Sequence, residues 1–209
     1  MGDRFDVERL LSLGRVSAVA PAPDGTWLAV AVSRVDPQRG KFVSELWRVS
    51  LTDGTPPIPL TRGRHGDRAP AFRRDGALAF LSDRPANPDA KDGDPGAQVW
   101  ILPAGGGEPV PLTDEPHGVL EFRFARSADA LVVLAPVFLG VPDREQRAHG
   151  KDRDKRGPSA LHYTDMPVRL WDHWIGPAWP HVIVYDAGGG GGRDLTPAAP
   201  REHLPDAMA

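Results

Sequence analysis

Trp171, Asp172, His173 and Trp174 set an acid and a histidine between two tryptophans in four consecutive positions. Such a phrase can present an aromatic and acidic surface to the N-terminus or side chain of a peptide. It also has a structural reading, in which the two indoles bury a large area to anchor a chain segment while Asp172 holds a ring nitrogen or a backbone amide. Trp171, Asp172, His173 and Trp174 are the residues at which peptide contact is expected if that surface is used.

The remaining reactive side chains form no catalytic set. His65 and His117 lie 52 residues apart and each precedes a glycine. Two histidines without a third ligand do not make a usual zinc site. A His-Gly turn at one point of a repeat explains them, with a shared binding face as the alternative. His173 and His181 lack the i, i+4 spacing of a helix-borne metalloprotease motif. Gly157-Pro158-Ser159-Ala160 lacks the second glycine of a Gly-x-Ser-x-Gly nucleophile elbow, which occurs nowhere in the chain. Gly105-Gly106-Gly107 runs into Glu108-Pro109 rather than Gly-Lys-Ser/Thr, so it reads as a flexible turn and not a phosphate cradle. No catalytic residue, metal ligand or cofactor site is assigned.

The elements that must carry these residues repeat. Pro23-Asp24-Gly25, the apolar run Trp27 to Val32, Glu45-Leu46-Trp47 and Pro59-Leu60-Thr61 recur as Arg74-Asp75-Gly76, Ala77 to Ser82, Gln98-Val99-Trp100 and Pro111-Leu112-Thr113. The offsets are 51 for Asp24 to Asp75, 53 for Trp47 to Trp100 and 52 for Leu60 to Leu112. Short strands repeating at this period predict the blades of a β-propeller, each of which must stack on neighbours to bury its faces. The predicted fold is all-β: a partial β-propeller of about three four-stranded antiparallel blades, the third carrying a long insertion.

The expected organisation is a lead-in over 1–15 with one or two helical turns, blade 1 over 16–66, blade 2 over 67–118, blade 3 over 119–197 and a tail over 198–209. In blade 3 the interval from Thr113 to Thr196 is 83 residues, about 31 more than between the earlier threonines, which places an insertion at about 141–175 between the second and third strands. Its first part, Asp143 to Arg156, carries six basic and four acidic side chains and is expected to be a solvated, mobile loop. Arg34 to Lys41 is likewise expected to be a polar loop. Trp27, Trp47 and Trp100 are predicted blade core, and prolines 56, 57 and 59 mark an edge strand.

Composition narrows the partners. A net charge of -3 gives no basic footprint for nucleic acid. No run of eighteen apolar residues occurs to span a membrane, and the absence of cysteine rules out disulfides and thiolate chemistry. The charged N-terminus is unlike a secretory signal, so a cytoplasmic location is expected.

The order Pro-Asp-Gly, apolar strand, Trp-containing strand, Gly-rich turn and Leu-Thr resembles the TolB type of WD40-like propeller repeat. Met166-Pro-Val-Arg-Leu-Trp-Asp-His-Trp174, His181-Val-Ile-Val184 and Arg193-Asp-Leu-Thr-Pro197 look like the propeller of the acylaminoacyl-peptidase branch of prolyl oligopeptidases. The likeness runs from about residue 5 to 197. It implies an N-terminal propeller that gates peptide access to, and supports, an α/β-hydrolase domain with a Ser-Asp-His triad, a domain this sequence does not contain. The partners then expected are a peptide substrate, reached through that domain, or a protein; a stand-alone TolB-like binding module and a truncated product without function are the alternatives. Self-association through open blade faces is a further expectation.

Overall fold

The computed structural model describes residues 6–36, 38, 40–85, 96–157, 160, 169–170, 173–174 and 176–197. The chain divides into two units, Met1–Thr113 and Asp114–Ala209. The first opens with helix α1 (Val7–Ser12), whose N-cap carboxylate, Asp6 Oδ1, accepts the Arg9 N–H at 2.8 Å. None of its residues is buried, although the helix lies against the strand Trp27–Asp36.

Two antiparallel meanders follow: β1 (Arg15–Pro21), β2 (Trp27–Asp36), β3 (Lys41–Ser50) and β4 (Ile58–Pro59), then β5 (Arg68–Phe72), β6 (Leu78–Ser82), β7 (Gln98–Leu102) and β8 (Val110–Pro111). The second unit holds β9 (Glu121–Phe124), β10 (Ala130–Phe138), helix α2 (Asp143–Arg156), the two-residue pair β11 (Arg169–Leu170) and β12 (His173–Trp174), β13 (Ala178–Asp186) and β14 (Arg193–Asp194). Its main sheet runs β9-β10-β13-β14. The three four-stranded antiparallel sheets are the blades of a partial β-propeller, and the third carries its insertion between its second and third strands.

The repeated residues close each sheet by the same chemistry. At the hairpins, Asp24 Oδ1 accepts the Thr26 N–H at 2.9 Å and Asp75 Oδ1 accepts the Ala77 N–H at 3.1 Å. Gly25 and Gly76 take the left-handed φ of 69° and 87° that these turns need. At the outer edge, the leucine N–H of each Leu-Thr pair donates across the ladder: Leu60 to Leu46 O at 2.7 Å, Leu112 to Val99 O at 2.8 Å and Leu195 to Val182 O at 2.8 Å. The threonine hydroxyl then accepts the N–H of that same residue, so that Thr61, Thr113 and Thr196 satisfy Leu46, Val99 and Val182, each at 3.0 Å. The Leu-Thr pair that follows each two-residue outer strand thereby satisfies both backbone groups of one residue on the neighbouring strand. Thr113→Val removes the acceptor for a buried N–H while keeping the side-chain shape. A loss of about 1–3 kcal/mol is expected in equilibrium urea unfolding.

The core of the first unit lies between its two sheets. Ala29, Ala31 and Leu46, all fully buried, face Leu78, Phe80 and Trp100. The other face of the second sheet, Ala79, Leu81, Val99 and Ile101, is also buried. The first sheet differs: opposite its buried face, Val16 and Val19 are 64% and 52% exposed and Trp47 is half-buried. In the third sheet Leu131, Val133, Ile183 and Tyr185 are buried on one face, while Val132, Leu134, Val182 and Val184 on the other are half-buried.

Three expectations are corrected. Trp100 is the buried tryptophan of the three; Trp27 packs against the core cluster but is only partly buried, and Trp47 is partly buried outside that cluster. Trp27 meets Phe72 edge-on at 4.9 Å with the Arg48 guanidinium 4.5 Å over its ring, and Trp47 stands on the less covered face. The polar stretch from Arg34 is not all loop, because β2 and β3 stay paired out to Asp36 and Lys41, supported by an ion pair between Arg34 and Glu45. Asp143 to Arg156 is a fourteen-residue helix. Its acids Asp143 and Glu145 occupy the first turn and its bases Arg153, Lys155 and Arg156 the last, matching the helix dipole. Asp152 and Arg156 pair at i, i+4 at 2.5 Å, and left-handed Gly157 caps the end.

Candidate functional site

A cavity of about 180 Å³ lies in the second unit, walled by the loop that precedes the third sheet, the ends of its strands and the start of α2. Four carboxyl side chains line it: Asp114, Glu115, Asp143 and Asp194. Glu115 is 6% exposed and accepts a hydrogen bond from the Tyr185 hydroxyl across seventy residues of sequence. Burial raises the Glu115 pKa; the Tyr185 bond opposes this, and the charges of Asp114, Asp143 and Asp194 add to the rise. The Tyr185 phenol is pushed far above its ordinary value, first by burial and then by the carboxylate it faces, so it stays a hydrogen-bond donor.

Each wall has a local cause. Alternation along β13 turns His181, Ile183 and Tyr185 to the buried face. Asp194 occupies the β14 position that faces Ile183, where the other two blades carry Pro59 and Pro111 facing Trp47 and Trp100. An acid thus replaces an edge proline. Asp194 Oδ2 lies 2.6 Å from Nδ1 of His181, which is 2% exposed, while Asp194 Oδ1 accepts the Thr196 N–H at 2.7 Å. His181 stands at the register of Glu45 and Gln98, so every blade has a polar residue just before the N–H that its threonine satisfies. Gln98 accepts from the Thr113 hydroxyl at 2.8 Å, and Glu45 accepts from the Trp47 indole at 3.1 Å.

This lining can hold a cationic or hydrogen-bond-donating group; Asp114 is already balanced by Arg147 at 2.7 Å. Its polar lining consists of these four carboxyl groups, the Tyr185 phenol and the Gln146 amide. No group of three or more candidate metal ligands occurs among the described residues.

Trp171 and Asp172 lie outside the described residues, as does Ser159, and of His173 and Trp174 only the backbone pairing with Leu170 and Arg169 is described. His65 is exposed at a turn completed by left-handed Gly66. His117 is half-buried against Phe138 at 4.8 Å, so it does more than precede a turn. Glu115, Tyr185 and Asp194 were not singled out from the sequence. The available signal was Asp194, which breaks the Pro-Leu-Thr pattern of the first two blades.

No protein-family model matches this chain. It is 33% identical over 128 residues to the uncharacterized peptidase YuxL of Bacillus subtilis, a match covering 60% of this chain and 18% of that protein. It is 27% identical over 205 residues to dipeptidyl-peptidase 5 of Porphyromonas gingivalis, covering 96% of this chain and 28% of that one. The chain therefore spans less than a third of the length of these curated relatives. Among solved structures it is similar to the acylaminoacyl peptidase of Pyrococcus horikoshii, with a TM-score of 0.55 at 11% identity over 85% of this chain and 24% of that one. The relatives carry peptidase names, as the repeats led one to expect, and no helix among the described residues is long and apolar enough to cross a membrane.

Proposed function

Proceeding from kinship to proteins named as peptidases, we propose that this chain is a non-catalytic propeller portion of a prolyl-oligopeptidase-like serine peptidase. In this role it limits which peptides reach an α/β-hydrolase domain carried elsewhere and supports that domain. The observation that carries the reading is the contrast among the sheets. The second sheet is buried on both faces, whereas the first and third each keep one aliphatic face partly open, through Val16 and Val19 and through Val132, Leu134, Val182 and Val184. Branched aliphatic residues centred on a strand face are suited to cover by another sheet. Three blades are also fewer than the four to eight of a closed ring. The lack of a Gly-x-Ser-x-Gly elbow in 209 residues supports the reading that cleavage belongs to another part of a longer protein. Within this reading the Trp171-Asp172-His173-Trp174 phrase is the proposed peptide contact.

The test compares the 209-residue chain with the full product of its gene, using a fluorophosphonate probe. The longer product, with further blades and a Gly-x-Ser-x-Gly motif, is expected to be labelled and the chain itself to stay unlabelled. A stop codon directly after Ala209 with stable independent expression would favour the stand-alone binding module, and labelling at Ser159 would overturn the non-catalytic assignment.

A further inference from the structure

Helix α2 is seated without hydrophobic burial. Of its fourteen residues only Gln146 and Gly150 are buried, and Ala148 is its one aliphatic side chain. Polar and close contacts seat it, besides the meeting of His149 with Phe138. The Gln146 amide spans the end of β10, accepting the Phe138 N–H at 2.9 Å and donating to the carbonyls of Phe138 at 2.8 Å and Val141 at 2.9 Å. Arg147 donates to the Asp114 carboxylate at 2.7 Å and to its carbonyl at 3.2 Å. Gly150 lies against the imidazole of His117 so closely that a Cβ there would overlap the ring. An element held by few polar contacts belongs to the low end of local stability.

His117 is the contact that can change state. Its ring meets Phe138 edge-on at 4.8 Å, Phe138 also meets His149 of the helix at 4.7 Å, and the His117 Nε2 is buried with no partner among the described residues. From α2 it faces Gln146, Arg147 and Asp154, from β10 the uncharged Phe138, and its own loop carries Asp114 and Glu115. Asp143 and Gln146 of the same helix form part of the cavity wall. We propose that α2 is a lid over the acidic cavity, kept shut by the neutral imidazole of His117 and released when that ring takes up a proton. The inference does not depend on the peptidase reading.

The sign follows from the environment. Burial lowers the His117 pKa from 6.5 and Arg147 adds to the shift, against the opposing effects of Gln146 and Asp154. A ring that resists protonation in the docked state contributes fully to docking above about pH 6.5 and progressively less as pH falls below it. Below that pH, lid opening gains up to tenfold for each unit until the docked pKa is reached.

Hydrogen exchange read by mass spectrometry on the 209-residue chain, corrected for intrinsic rates, tests this at about pH 7.5 and about pH 5. Protection of Asp143–Arg156 is expected to fall at the lower pH while β6 and β10 stay protected. His117→Phe keeps an aromatic ring but cannot charge, and it should hold α2 protected at both pH values; His149→Gln should behave as the parent. Hydroxyl-radical footprinting at Tyr185 should rise together with α2 exchange. A pH response that persists in His117→Phe, no response in the parent, or a Tyr185 that stays shielded as α2 opens would each overturn the proposal. Should His117→Phe fail to fold, the NMR titration of the His117 ring in the parent replaces it: its midpoint must coincide with that of α2 exchange, and separate midpoints overturn the lid.

Discussion

Phe80→Ala is expected to lower the unfolding free energy by about 3–5 kcal/mol, the range for deleting a fully buried aromatic ring. Phe80 is 0% exposed and sits in the cluster shared by the first two sheets, with Leu46, Ala29 and Ala31 on one side and Leu78 and Trp100 beside it. Its ring also lies 5.2 Å beneath the Arg84 guanidinium, so truncation removes a cation–π partner as well as apolar contact. Both neighbouring sheets contribute walls to the resulting void, so neither alone can collapse to fill it. Equilibrium urea denaturation followed by tryptophan fluorescence checks the magnitude. A loss below about 1 kcal/mol would mean that the two sheets do not depend on one another for stability.

Asp67→Ala is expected to cost a comparable amount, about 3–5 kcal/mol, for an electrostatic reason. The Asp67 side chain is 1% exposed and accepts from Arg84 at 2.8 Å; the Arg84 Nε donates to Ser82 Oγ at 2.8 Å, and its planar face lies 5.1 Å over Trp100. Removing the acid leaves a largely buried guanidinium without its counter-charge, which is the costly way to break such a pair. Asp67→Ala combined with Arg84→Met removes both charges while keeping much of the apolar stem, and most of the loss should be recovered. A double-mutant cycle measures the coupling, and a double variant as unstable as Asp67→Ala would show that shape rather than charge dominates. Because Arg84 touches Phe80, the effects of Phe80→Ala and Asp67→Ala should not add.

These two sites also mark how far the sequence could be read. The blade order was legible because the turn and edge residues act through short-range chemistry: Asp24 and Asp75 accept N–H groups two residues on, and each Leu-Thr pair meets one facing residue. The helix at Asp143 to Arg156 was not, since it lacks the apolar stripe by which helices are recognised and stands on charge order, one i, i+4 pair and Gln146. Trp47 misled because a tryptophan in a strand says nothing about which face is covered, whereas Trp27 stands on the core face but at its margin, packed against the cluster and only partly buried. The cavity was hidden for a topological reason: Glu115, Gln146 and Tyr185 lie on three separate segments, and it takes the pairing of β10 with both β9 and β13 to bring them near one another.

The twofold clasp at each outer edge, leucine amide to carbonyl and threonine hydroxyl to amide, has an evolutionary corollary. It locks the third strand of a blade against the fourth without reference to whatever joins the second strand to the third. In the third blade that connection has grown to accommodate α2, and Val182 still meets Leu195 and Thr196 with the spacings found in its two siblings. New recognition surfaces can therefore be grafted at this one hairpin while the scaffold's alignment stays as inherited.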